Sequence, residues 1–215
     1  MLVKSGLSDS EMVSEISFLL NACHGLRLAA MFNVNASVEL HTDMAHDPDK
    51  TFEYGKRLFE INPAKFIIKV PMTPAGLIGA KKLRAVNIPV NFTLGFSARQ
   101  NYLAARFANP SFVNVFLGRL NAFVSENSIG SGKNVGEKAT LSTQMIISKL
   151  RSTRKASSKL IAASMRDAGQ VAALVSVDVF IIPISAALEY LKKSHELPLG
   201  IKGKIPEAEY KKEIT

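Results

Sequence analysis

The sequence predicts an α/β protein of the (β/α)8-barrel type, with six strand–helix units visible. Three observations carry that reading. Apolar runs of strand length alternate with stretches of helix length, which is the pattern of parallel strands joined by crossover helices. The strands carry polar residues on one face, whereas an open doubly wound sheet needs strands apolar on both faces. Those polar residues also gather near the C-terminal strand ends, the end at which a barrel holds its site.

Taken in order, residues 8–24 place Met12, Ile16, Leu19, Leu20 and Cys23 on one helical face, behind an N-cap at Ser8 or Ser10. The next segment, RLAAMFNVNASVELH, alternates at its end, with Ser37, Glu39 and His41 opposite Val38 and Leu40. Asp47-Pro48 opens a helix to about Asn62, and Thr73-Pro74 caps another to about Val86 after a strand at 65–70. Strand 88–95, helix 97–108 and strand 111–117 follow. A Gly/Ser/Asn-rich loop at 125–136 precedes a long helix to about Arg151. Strand 159–164, helix 167–176, strand 178–182 and helix 184–194 complete a domain of residues 1–194. The tail, 195–215, carries Pro198, Gly200, Gly203 and Pro206 and is expected to be irregular with one short helix near its end.

At 215 residues, 47% hydrophobic and 21% charged, the chain has the composition of one globular domain with a large core. A net charge of +9 admits nucleic acid, an anionic membrane surface or a phosphorylated small substrate as partner. The basic residues scatter instead of forming a dense stripe with interleaved aromatics, which argues against nucleic acid. The longest apolar stretch, 171–188, is interrupted by Asp178 and Pro183, so no membrane span is expected. Cys23 is the only cysteine, which excludes an internal disulfide and suits a reducing compartment. Its place on the apolar stripe predicts a buried side chain. With no secretory signal visible, the expected location is the cytoplasm. His24, His41, His46 and His195 lack paired ligand spacing, so no metal site is expected, and GSGKN at 130–134 lacks two positions of a phosphate loop.

Lys69 sits inside an apolar strand, a costly place unless the amine is neutralised, paired or chemically used. Strand alternation sets Lys69 with Ile67, Asn91 with Thr93, Asn114 with Phe116, and Ala162 with Ser164 and Arg166, while Glu39 takes the matching place in the first strand. The opposite faces are aliphatic and suit the helix-packed exterior, so the polar set converges on one mouth. A lysine enclosed there is expected to have a depressed pKa and to attack ketones or aldehydes as a neutral amine. Glu39 could position water or shuttle protons, and Arg119 with Arg166 could hold a phosphate through forked hydrogen bonds. His41, on the face of Glu39, reads as a rim hydrogen-bonding residue.

Five stretches in family order resemble the transaldolase family, class I aldolases with a Schiff-base lysine in a (β/α)8 barrel. They are SVEL at 37–40, IKVPMTPAG at 68–76, IPVNFTLGFSARQ at 88–100, VFLGR at 115–119 and AASMRDAGQV at 162–171. The resemblance implies that Lys69 forms the imine, that Glu39 positions the catalytic water and that Thr93 contacts that water. It implies substrate binding by Asn91, Asn114 and Phe116, and phosphate binding by Arg119, Ser164 and Arg166. It also implies phosphorylated sugar substrates, a place in the pentose phosphate pathway and no cofactor; homo-oligomerisation is left open. Phe116 stands where the related fructose-6-phosphate aldolases have tyrosine, which favours transfer over release of free dihydroxyacetone. Asn114 stands where transaldolases usually have serine. The first two family strands, with an acid/base aspartate and a substrate-binding asparagine, have no counterpart here, so six strands of eight are expected. That gap keeps a non-catalytic sugar-phosphate binder as the alternative to an enzyme.

Overall fold

The computed structural model describes residues 6–193; the expectation for the 195–215 tail, and His195, lie outside the described residues. The chain forms two compact units, Met1–Phe92 and Thr93–Thr215. The α/β class is as expected, and six strands occur among the described residues. No described helix is long and apolar enough to cross a membrane.

In the first unit, helix α1 (Asp9–Phe32) starts at the Ser8–Glu11 capping box and stops where Asn33 turns left-handed at φ 51°. It runs eight residues beyond the expected end, because Leu26 to Phe32 is rich in Leu, Arg, Ala and Met, all strong helix formers. The stripe that packs inward is also not the expected one. Its buried residues are Ser14, Ala22, Gly25 and Ala29, whereas Ile16, Leu19 and Leu20 are 42, 46 and 66% exposed. Cys23 is likewise exposed, not buried. The helix lies so close to the sheet that a β-carbon on Gly25 would fall 2.6 Å from the Val38 side chain. Small residues therefore define the packed face, and the large apolar ones point away.

Helix α2 (Pro48–Ile61) begins as expected, with the Asp47 carboxylate accepting the Asp49 and Lys50 N–H groups. Arg57 joins α2 to α1 through two 2.8 Å hydrogen bonds to Glu15, its guanidinium 4.4 Å above the Phe18 ring. The Arg57 hydrogen bonds hold the Glu15 carboxyl below the usual carboxylate range, against the opposing effect of its burial. Strands β1 (Ala36–Glu39) and β2 (Phe66–Pro71) pair in parallel, with Ala36 opposite Phe66 and Glu39 opposite Lys69. Helix α3 (Pro74–Ala85), capped by Thr73, leads to β3 (Val90–Thr93), which lies beside β2. Val38, Ile68, Val70, Val90 and Phe92 are wholly buried and form the core.

The second unit continues with α4 (Ala98–Ala108), β4 (Phe112–Phe116), α5 (Leu117–Glu126), α6 (Val135–Ser152) and β5 (Lys159–Ala163). Then come α7 (Ala168–Ala173), β6 (Val179–Phe180) and α8 (Ile184–Lys193). Strand β5 pairs in parallel with β4 on one side and β6 on the other. Helix α5 departs from the expected pattern. The strand predicted to reach residue 117 ends at Phe116, and the helix starts on the next residue without a side-chain cap.

Arg151 at the end of α6 anchors β5 and β6 through Asp178, with hydrogen bonds of 2.5 and 2.7 Å. The same carboxylate accepts the Leu160 N–H at 2.9 Å. Burial pushes the Asp178 carboxyl up, but Arg151, Leu160 N–H and Gln144 outweigh it and hold the group below its ordinary range. A depressed folded-state pKa stabilises the fold above the unfolded-state value of about 3.9, and that stability is lost as pH falls through the folded-state value. Asp178→Ala is therefore expected to lower unfolding stability by about 2–4 kcal/mol at pH 7. Urea denaturation should show the gap between variant and wild type closing as the pH falls below about 4.

Candidate active site

In the first unit, the register that sets Glu39 opposite Lys69 puts both side chains on one face at the C-terminal ends of β1 and β2. Lys69 Nζ donates to Glu39 Oε2 at 2.9 Å, and the pair stays reachable, its side chains 25 and 51% exposed. Asn21 of α1 donates to the Glu39 carbonyl at 2.5 Å and fixes the end of β1. A cavity of about 200 Å³ beside Glu39 is lined by Ser14, Ser17, Asn21, His41 and Tyr54 among others. His41 acts locally, its Nδ1 accepting the Asp43 N–H at 3.3 Å to cap the 3-10 turn Thr42–Met44. On β3, Asn91 donates to Ser37 Oγ at 3.1 Å, while its own Oδ1 is buried with no partner in the structure. An acceptor left in that state is costly, and a substrate hydroxyl could satisfy it.

In the second unit, Thr93 is buried at the end of β3, and Asn114 is buried on β4 with its Oδ1 also unpartnered. The Phe116 ring stands 6.2 Å from that of Phe96, tilted by 44°. Arg119 lies in the first turn of α5, and Arg166 lies between β5 and α7. Both line one cavity of about 730 Å³ with Phe96, Leu120, Ala122, Phe123 and Glu126. Among the described residues neither arginine has an ion-pair partner, which leaves two guanidinium groups for an anion. Ser164 is not among the residues lining that cavity. It contributes through its backbone, which turns at φ 64° and sets its carbonyl where a β-carbon on Gly118 would come within 2.1 Å.

The loops after β3 and β5 share a construction that strand-face reasoning does not reveal. Leu94 and Ser164 both have φ 64°, a strained value for residues with side chains. In each loop a side chain caps the next helix: Ser97 accepts the Gln100 N–H, and Asp167 accepts the Gln170 N–H. Each glutamine then reaches back, Gln100 Oε1 to the Phe96 N–H at 3.0 Å and Gln170 Oε1 to the Arg166 N–H at 2.7 Å. Phe96 and Arg166 thus hold equivalent places and line the same cavity. The signal was present in the spacing Ser97-Ala98-x-Gln100 and Asp167-Ala168-x-Gln170. Phe96, Leu120 and Phe123 are cavity residues beyond the reach of strand alternation, since none lies on a strand.

The family model described as transaldolase/fructose-6-phosphate aldolase matches residues 3–213. The chain belongs to that family. Proteins named probable transaldolase are similar to it along much of their length. That of Exiguobacterium sibiricum is 36% identical over 155 residues, covering 71% of this chain and 64% of the relative. That of Thermus thermophilus is 37% identical over 150 residues, covering 69% and 60%. That of Geotalea uraniireducens is 29% identical over 194 residues, covering 89% and 77%. The chain thus spans about 60–64% of the length of the first two of these relatives. The family resemblance read from the five strand-end stretches is the one the comparisons return.

Gly118 carries a direct test of how the arginine cavity is built. A β-carbon there meets the Ser164 carbonyl at 2.1 Å and Arg166 Nε at 2.9 Å, and the first of these is backbone that cannot swing aside. Gly118→Ala is expected to destabilise the protein by about 1–3 kcal/mol in urea denaturation. A variant as stable as wild type would show that the α5 start does not press on the β5–α7 loop.

Proposed function

We propose that this family member is a transaldolase, moving a dihydroxyacetone unit between phosphorylated sugars through an imine on Lys69. The observation that carries the reading is the Lys69–Glu39 pair, 2.9 Å apart on register-matched strand ends and open to a solute. The amine attacks the ketose carbonyl, water leaves, and the protonated imine becomes the electron sink that lets the adjacent carbon–carbon bond break as the hydroxyl on the departing carbon gives its proton to water. The aldehyde fragment departs, and the three-carbon enamine left on the lysine adds to the acceptor aldehyde. Hydrolysis of the new imine releases the product. Glu39 lies within hydrogen-bond reach of the amine; in this reading it accepts the amine's proton and orients the hydrolytic water, with Thr93 assisting.

Asn91 and Asn114 offer buried, unpartnered amide oxygens to substrate hydroxyls. Arg119 and Arg166 take the phosphate, with Ser164 shaping the loop that carries Arg166. Phe116 brings no hydroxyl to the site, which favours transfer over release of free dihydroxyacetone. The corresponding setting is the pentose phosphate pathway of the cytoplasm.

Borohydride reduction in the presence of fructose 6-phosphate should attach the sugar fragment irreversibly to the Lys69 peptide, read by mass spectrometry, with none on Lys69→Arg. Absence of the adduct from the folded wild-type chain would sink the proposal and favour a sugar-phosphate binder. With erythrose 4-phosphate present, a lengthened ketose phosphate is expected; free dihydroxyacetone instead would indicate the aldolase. Glu39→Gln should lower kcat by about 10²–10⁴-fold.

A further inference from the structure

One buried carboxylate in the second unit has no part in the chemistry above. Glu137, the third residue of α6, is 6% exposed and has no basic partner among the described residues. Its oxygens accept instead from two neutral amides, Asn121 Nδ2 at 3.0 Å and Gln170 Nε2 at 2.6 Å. A charge in that position is costly, and the N-terminus of an eighteen-residue helix offsets part of the cost.

A carboxylate can only accept hydrogen bonds, so it dictates which way both amides face. Because Asn121 must turn its NH2 to Glu137, its Oδ1 is left to accept the Gly136 N–H at 2.6 Å, which ties α5 to α6 two residues after Arg119. Because Gln170 must do the same, its Oε1 is left to accept the Arg166 N–H. The equivalent loop supplies the contrast. Gln100 makes the same return bond to Phe96, yet it is exposed and, among the described residues, no buried acid orients it. The extra anchor is found on the loop that carries an arginine.

We propose that Glu137 is a positioning residue for the anion site, setting the amides of Asn121 and Gln170 and through them the placement of Arg119 and Arg166. The proposal rests on the reading of those arginines as a phosphate site. Glu137→Gln presents an NH2 to one of two amide donors, so one amide must flip and release Gly136 or Arg166. Inorganic phosphate titrated into the full chain and followed by NMR should then bind about tenfold more weakly. With fructose 6-phosphate, KM should rise more than kcat falls.

The double variant Glu137→Gln/Gln170→Glu exchanges acid and amide. The new amide at 137 accepts from Asn121 and donates to the new carboxylate at 170, whose second oxygen takes the Arg166 N–H. Recovery of phosphate affinity in the exchanged pair supports the proposal, and this holds even if the single variant fails to fold. A folded double variant that still binds phosphate weakly, or a single variant that binds like wild type, overturns it. Should Arg119→Ala/Arg166→Ala bind phosphate as wild type does, the anion-site reading itself falls, and the role of Glu137 falls with it.

Discussion

A parallel strand whose crossover helices cover one face has only the other face left for polar chemistry, and this constraint organises the first unit. Val38, Ile68, Val70, Val90 and Phe92 are wholly buried on the covered side. Ser37, Glu39 and Lys69 stand on the other, and the backbone register sets Glu39 against Lys69. The ion pair follows from pairing of main chains, not from long side chains searching for each other. A slip of one residue would exchange the faces and bury the lysine under the helices. The network around the pair reinforces that register, since Asn21 pins the Glu39 carbonyl and Asn91 reaches Ser37.

The second unit solves a different problem, the placing of two like charges at one cavity. Neither Arg119 nor Arg166 lies on a strand; one rides the first turn of α5 and the other a short loop. Positions of that kind drift unless the backbone is held. Here three devices hold it: a left-handed turn at Ser164, a close contact that only Gly118 permits, and the buried amide–carboxylate chain through Glu137. Strained turns and a buried charge each cost stability, and a repeated loop design at the cavity suggests what that cost sustains.

Where sequence reasoning misjudged the structure, local apolarity competed with size and continuity. In α1 the large apolar residues suggested the packed face, but the close approach of helix and sheet selected Ser14, Ala22, Gly25 and Ala29. Cys23 follows the large residues outward for the same reason. Helix α5 escaped because Leu117 continues the apolar run of β4 without punctuation, and no Ser, Thr, Asp or Asn marks the start. Glu137 escaped because one glutamate near a helix start is ordinary in sequence; its burial between two amides is a fact of packing.

By itself the sequence determined the α/β class, the order of six strand–helix units and the strand faces bearing Glu39, Lys69 and Asn91. Alternation along a strand is local, so period and punctuation suffice to read it. Its motifs also led to the transaldolase/fructose-6-phosphate aldolase family that the comparisons return. Tertiary structure alone decided the rest: that Lys69 meets Glu39 at 2.9 Å, that Phe96 joins the arginine cavity, that the outer face of α1 is the apolar one, and that Glu137 holds two amides in orientation. Those outcomes depend on distances between residues far apart in the chain, and such distances are set only when the helices and strands pack.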